Sequence, residues 1–179
     1  MSDFTHTANT TFEGNSAAEW SGTQTTNYAG QPSTVSRTKT YMRVEGLEIL
    51  MFGGTAEITT PVAGSTKIVF TPPYRNRRYA LDVGETDTHT FTSTTTGTFG
   101  GFTLPPTTST STETIRYLGR ETVTVPAGTF QTCKFEIDGV TTTWEIVGKG
   151  LAAKTSSSSQ GTTFTLELTA GSINGAPVQ

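Results

Sequence analysis

Tyr117-Leu118-Gly119-Arg120-Glu121-Thr122-Val123-Thr124-Val125-Pro126-Ala127-Gly128-Thr129-Phe130-Gln131-Thr132-Cys133-Lys134-Phe135-Glu136-Ile137 is the stretch from which the fold is read. Val123 and Val125 alternate with Thr122 and Thr124, and Cys133, Phe135 and Ile137 alternate with Lys134 and Glu136. Each run therefore presents one apolar face at period two. Between them, Pro126 presets φ near about −65° for the second position of a tight turn, and Gly128 tolerates positive φ. The chain is expected to reverse at Pro126-Ala127-Gly128-Thr129, giving an antiparallel hairpin with Val123, Val125, Cys133, Phe135 and Ile137 facing one core.

The same punctuation extends in both directions. Towards the N-terminus, Ser2 to Glu13 reads as a first strand anchored by Phe4 and Phe12, and Ala17 to Tyr28 as a second, closed by a Gly30-Gln31-Pro32 turn. Val35, Arg37, Lys39, Tyr41 and Arg43 share one face of a long strand. Leu47 to Phe52 is the most apolar run and predicts a strand buried on both faces or at a subunit contact, ended by a Gly53-Gly54 turn. After Lys67 to Phe70, Pro72-Pro73 is expected to stop the sheet, because proline cannot donate to a ladder. Thr86 to Thr98 and a Thr-rich return to Tyr117 flank a Phe99-Gly100-Gly101-Phe102 turn. Beyond the hairpin, Trp144 and Ile146 share a face and Gly148-Lys149-Gly150 turns the chain into Leu151 to Lys154. Thr155 to Gly161 predicts a mobile Ser-rich loop, Phe164, Leu166 and Leu168 an inward-facing last strand, and Gly171 to Gln179 a frayed tail. No segment carries helical periodicity over three turns.

The fold class is therefore all-β, an antiparallel meander curled into an open half-barrel. We expect a single domain over residues 1–179. Gly46-Leu47-Glu48 followed by Gly53-Gly54-Thr55 echoes Gly119-Arg120-Glu121 followed by Ala127-Gly128-Thr129, which suggests two similar meander halves, 12–71 and 86–169, joined by a charged connector, 73–85. Chance likeness between Thr/Gly-rich strands accounts for the same echo.

Composition narrows the function classes. Only 32% of the 179 residues are apolar and 15% charged, while 41 are threonine. Threonine is β-branched and hydroxylated, so it suits pleated surface that faces water. The low charge content and net charge of −3 give no long-range field for nucleic acid and argue against it as a partner. No run approaches the roughly 20 apolar residues of a membrane span, and no signal-peptide core is present, so the sequence reads as a mature or trimmed chain whose Met1 is an added start. Cys133 is the one cysteine, which leaves no internal disulfide and no cysteine metal site; at an inward strand position it is read as a small buried hydrophobe.

Candidate chemistry is sparse. His6 and His89 are the two histidines, both read as exposed, and neither adjoins a nucleophile elbow or a set of zinc ligands. Asp82, Glu85 and Asp87 around Gly84 lack calcium-loop spacing. Glu48 and Glu121, considered as a carboxylate pair for glycoside hydrolysis, sit at strand starts and read as structural. No catalytic residue, metal site or cofactor is assigned. The best binding signal is Arg75, Arg77 and Arg78 with Tyr74 and Tyr79 around them, a set able to hold a phosphate or carboxylate bidentately. The alternative is that these arginines neutralise Asp82, Glu85 and Asp87. Trp144 joins Tyr74 and the three arginines as a candidate ligand-binding residue, since aromatic side chains on a curled sheet can line an apolar cavity as well as a core.

The wording Gly119-x-Glu121-x-Val123-Thr124-Val125-Pro126-Ala127-Gly128-Thr129-Phe130, followed by Cys133, Trp144 and Gly148-x-Gly150, resembles a group of bacterial secreted proteins and lipoproteins with a lipoprotein-carrier (LolA/LolB-like) open β-barrel. The resemblance covers about Pro72 to Leu168, and Leu151-Ala152-Ala153-Lys154 replaces part of the group's usual aromatic and apolar residues after the Gly-x-Gly turn. It implies a periplasmic or extracellular location and an open barrel, and leaves open whether the precursor is lipid-anchored. The function expected from all this is a non-enzymatic exported protein that binds an apolar or lipid-like ligand or a protein partner on the concave sheet face. The second class is a structural or adhesive β-sandwich that self-associates through its Thr-rich faces and edges. The third is a hydrolase using the charged loop.

Overall fold

The structure is a computed structural model, and it describes residues 2–26, 33–159, 161–173 and 176–178; Tyr28 and the Gly30-Gln31-Pro32 turn lie outside the described residues. The chain folds as strands β1 (Ser2–Phe12), β2 (Asn15–Thr26), β3 (Thr34–Glu45), β4 (Glu48–Thr60), β5 (Gly64–Asn76), β6 (Thr86–Phe99), β7 (Phe102–Val125), β8 (Gly128–Ile137), β9 (Thr141–Ile146), β10 (Ala152–Ser159) and β11 (Thr162–Glu167). Among the described residues these form one 11-stranded antiparallel sheet whose spatial order is the chain order, running from β1 to β11 without closing. A two-residue ladder pairs β12 (Ser172–Ile173) with β13 (Ala176–Pro177), and the helical content of the described residues is a single 3-10 turn, Arg78–Ala80. The protein is all-β, an open meander, as its sequence predicts.

The chain divides into two compact units, Met1–Asn76 with His89–Thr112, and Arg77–Thr88 with Glu113–Gln179. In the first unit Phe12, Ala17 and Phe52 form the buried core, with Tyr41, Leu50 and Val69 packed against it. Phe12 stacks on Tyr41 with ring centroids 4.3 Å apart. Contrary to the sequence reading, Gly53-Gly54 is not a turn but lies inside β4. Tyr41 pairs with Gly53 and Met42 with Met51, so Phe52 is the extra residue of a bulge and drives into the core. Gly53 has φ of +149°, and a Cβ there would strike the Ile68 carbonyl oxygen and lie 2.8 Å from the Phe12 ring. Two glycines are needed because strands and an aromatic ring close in on that backbone. Leu47 is 63% exposed, so the apolar run is not buried on both faces. Nor do Pro72 and Pro73 stop the sheet: they lie where β5 shifts register against β4, between Val69 and Tyr74, and there no ladder bond needs their missing N–H.

In the second unit the hairpin forms where expected, Val125 opposite Gly128, but it serves two cores. Val123 pairs with Phe130 and Cys133 with Arg120. Cross-strand partners share a face, so Phe130 joins Val123 and Val125 while Cys133, three residues on, points to the opposite side. One face packs Val123, Val125 and Phe130 with Ile146, Ala153 and Val178. The other packs Ile115 and Phe135 with Leu81, and Tyr117, half-buried Cys133 and Ile137 border it. The single shared core predicted for Val123 and Phe135 is thereby corrected.

Three further expectations change at the C-terminal end. Thr155 to Ser159 belongs to β10, because Ser and Thr hydroxyls pair across its neighbours: Thr141 with Ser157 at 2.8 Å and Ser158 with Thr163 at 3.1 Å. β11 is an edge strand whose Phe164 and Leu166 are 64% and 58% exposed, leaving Leu168 to pack inward. The described tail is anchored rather than frayed: Val178 is buried, and its N–H donates to the Gly171 carbonyl at 2.9 Å.

The crowding at Gly53 sets a test against Gly46, where φ is +63° but the space is open. Gly53→Ala is expected to destabilise by about 3 kcal/mol or more, through clash and strain together, and Gly46→Ala by only about 1 kcal/mol. Urea unfolding of the two variants measures the difference.

Candidate functional site

The residues singled out from sequence divide between the two units. Tyr74 and Arg75 lie on β5 in the first; Arg77, Arg78 and Trp144 belong to the second. Each arginine has a carboxylate. Arg75 Nε donates to Glu48 Oε2 at 2.7 Å, and Arg77 stands 3.6 Å from Asp87. Arg78 pairs with Glu145. Of the acids Asp82, Glu85 and Asp87, Asp87 meets Arg77. Glu85 instead closes its own turn, accepting the Asp82 N–H at 2.8 Å.

Arg78–Glu145 is an enclosed ion pair, its side chains 15% and 13% exposed. The Tyr79 hydroxyl donates to the second carboxylate oxygen at 2.5 Å, and the guanidinium lies 5.7 Å from the centre of the Phe135 ring. Burial, then this hydrogen bond, hold the Tyr79 hydroxyl well above the ordinary tyrosine pKa. With both oxygens of Glu145 engaged, the cluster fastens the Arg77-to-Glu85 segment, and with it Leu81, over Ile115 and Phe135. Sequence reasoning missed Glu145, whose only signal is an acid in a strand on the side opposite Trp144 and Ile146.

Trp144 is similarly occupied. It stands in a row across five strands: Lys134 Nζ is 5.1 Å and Lys154 Nζ 5.6 Å from its ring centre, Glu121 is 3.0 Å from Lys134, and Glu167 is 3.2 Å from Lys154. The hydrogen bond from Lys134 lowers the Glu121 pKa. Tyr74 meets His89 edge-on at 4.6 Å and Phe91 at 5.1 Å, so His89, read from sequence as exposed, sits half-buried in an aromatic cluster. Nearby, Leu50, Pro72 and Pro73 with Glu45, Arg75 and His89 border an open depression of about 520 Å³. Several aromatics are exposed: Trp20 at 47%, Phe99 at 54%, Phe102 at 78%.

A further surface is the arm made by β6 from Thr90 and by β7 up to Thr112. No residue from 90 to 112 is charged. Threonine hydroxyls pair across it, Thr90 with Thr112 at 2.8 Å, Thr92 with Thr110 at 3.0 Å and Thr94 with Thr108 at 3.3 Å. Every residue of β7 from Phe102 to Thr112 is exposed. The sheet neighbours of β7 are β6 and β8, and β8 pairs only with Ile115–Val125, so among the described residues 102–112 has a ladder on one side and an open edge on the other.

Among the described residues no group of three or more His, Cys, Asp or Glu is placed to hold a metal ion, and no helix is long and apolar enough to cross a membrane. No family model, curated protein or solved structure matches the chain.

Two measurements probe the Glu145 cluster. Glu145→Ala, which removes the carboxylate that Arg78 and Tyr79 share, is expected to cost about 2–4 kcal/mol in urea unfolding. Below the ordinary tyrosine value of 10.0 both folded and unfolded chains keep the Tyr79 proton; above it only the folded chain does, so stability falls as pH rises. Tyr79→Phe should therefore flatten part of the alkaline loss between pH 9 and 11 seen in the parent (about the tyrosine range).

Proposed function

We propose that this chain is a non-enzymatic, exported bacterial protein that works by binding a protein partner, and that the partner adds a strand to the open edge of β7. The observation that carries this reading is the half-paired arm: 102–112 has β6 on one side only, is exposed throughout and bears no charge. A strand edge with unpaired N–H and C=O groups is a template for another chain. Native sheets commonly blunt such edges with lysine or inward charge; here Pro105 and Pro106 interrupt one end and Thr107 to Thr112 are left bare.

The non-enzymatic part rests on how the acidic candidates are used. Glu48, Glu121, Asp87 and Glu145 are each tied to a basic side chain. Export is supported by the resemblance to secreted proteins and lipoproteins and by a surface kept polar with threonine and serine. An apolar ligand on the sheet is the other binding mode; the depression beside Pro72 and Pro73 supports it less well, being open and rimmed by Glu45 and Arg75.

An alternating Thr-Val nonapeptide is the probe. Amide exchange at Thr108, Thr110 and Thr112 should slow at least about tenfold when it saturates the protein, as paired edge amides do, with little change in β1 to β4. Absence of binding at millimolar peptide, or protection elsewhere, rejects strand addition at this edge.

A further inference from the structure

We infer that this chain forms a two-fold dimer in which β11 pairs antiparallel with β11 of a second copy, centred on Thr165, with Phe164 and Leu166 closing the seam. This goes beyond strand addition at β7 and does not depend on it. β11 is the last strand of the sheet, so no strand lies beyond its outer edge. All six of its residues are exposed, among them Phe164 at 64% and Leu166 at 58%. The two share one face, Phe164 opposite Ser157 and Leu166 opposite Thr155, in a register that runs unbroken from Lys154 to Ser159. An edge that leaves both ladder groups and two large apolar side chains in water is a template for a further strand. β1, the other end strand, has a register shift between Thr7 and Thr10, the kind of irregularity that turns an edge away from pairing.

Two backbone bonds fix which groups point outward. The Leu168 N–H donates to the Ala153 carbonyl at 2.9 Å, so Leu168 faces β10. The Ser158 N–H donates to the Val140 carbonyl at 2.9 Å, so Ser158 faces β9 and Ser157 faces β11. In an antiparallel strand the N–H and C=O of one residue point the same way and alternate along the chain. Phe164 and Leu166 therefore direct their ladder groups at β10, and Thr163, Thr165 and Glu167 aim theirs at the open edge. A two-fold axis normal to the sheet pairs residues of one face, which centres the ladder on a residue. Centred on Thr165, Thr165 meets itself and Thr163 meets Glu167, so the outward N–H and C=O of all three find partners on both copies. The same register sets Phe164 against Leu166 of the second copy at the closer spacing of non-hydrogen-bonded pairs, where cross-strand side chains touch. Centred on Phe164, Glu167 would meet Gly161, and centred on Leu166, Thr163 would meet Thr169, both outside the strand. Glu167 faces threonine rather than its own copy and keeps Lys154 at 3.2 Å, so no like charges oppose across the seam. The chain also leaves the sheet at both ends of the paired stretch. Before it, Gly161 with φ of +78° reverses the chain into β10; after it, Leu168 packs inward and its carbonyl accepts the Ala127 N–H at 3.0 Å. Neither copy's β11 thus runs on into an edge that another strand fills.

Sedimentation equilibrium of the full chain should show a reversible dimer in the micromolar range, as suits an interface under about 1,200 Å². Thr165→Pro removes an outward N–H and none facing β10, Thr165→Lys sets two cations against each other, and Phe164→Ser removes the apolar contact. Each should weaken dimerisation at least about tenfold. Phe164→Ser should leave the urea midpoint of the dilute monomer near the parent's, because the ring is exposed there. In a Cys133→Ser background, Thr165→Cys should cross-link on oxidation, its Cα lying about 5.5 Å from its counterpart. Thr163→Cys should not, since the two copies of residue 163 stand four residues, about 14 Å, apart. A chain that is monomeric at millimolar concentration, a dimer indifferent to the Thr165 and Phe164 variants, or cross-linking through residue 163 overturns the self-pairing.

Discussion

The second unit depends on the register at one tight turn. Two residues, Pro126 and Ala127, connect β7 to β8, so Val125 meets Gly128 and Val123 meets Phe130. The two apolar alternations then fall on opposite sides of the sheet, and each side must be covered. Val178 and Leu168 from the C-terminal segment cover one; Leu81, on the segment held by Arg78, Tyr79 and Glu145, covers the other. Both segments look like loop and tail in the sequence. They are ordered because a sheet apolar on both faces is costly to leave wet, roughly 25 cal/mol for each Å² of apolar surface.

The first unit solves a different problem. Its strands carry few apolar side chains, and the core is assembled by irregularities instead of alternation. The bulge at Phe52 inserts one aromatic ring, the glycines after it let β5 and Phe12 approach, and the prolines occupy the register shift of β5. The structure keeps residues that would break an ideal strand where the ladder is already broken.

No residue of the arm from 90 to 112 is fully buried, and Phe91 is its one aromatic packed against Phe70 and Tyr74 among the described residues. The arm's stability comes from backbone pairing and from threonine hydroxyls satisfying one another across β6 and β7. Such pairs contribute modestly, about 0.2–1 kcal/mol each, but they leave little unsatisfied on the face. What remains unsatisfied along it is the outer edge of β7, an open edge inside the sheet beside those of the end strands β1 and β11.

The sequence by itself determined the class of fold: period-two alternation at Val123 and Phe135, and turns at Gly128, Gly139 and Gly148, are local properties of the chain. It also showed the uncharged character of 90–112. Only the tertiary structure decided which faces are core, because a register change of one residue exchanges the faces without altering the pattern that suggested the strand. The same holds for the arginines: Tyr74 to Tyr79 is contiguous in the chain, yet Arg75 takes Glu48 on the adjacent β4 and Arg78 takes Glu145 on β9. Whether an edge is covered is likewise a matter of where the neighbouring strand ends, and no local signal in Thr107 to Thr112 records that β8 pairs only with Ile115–Val125.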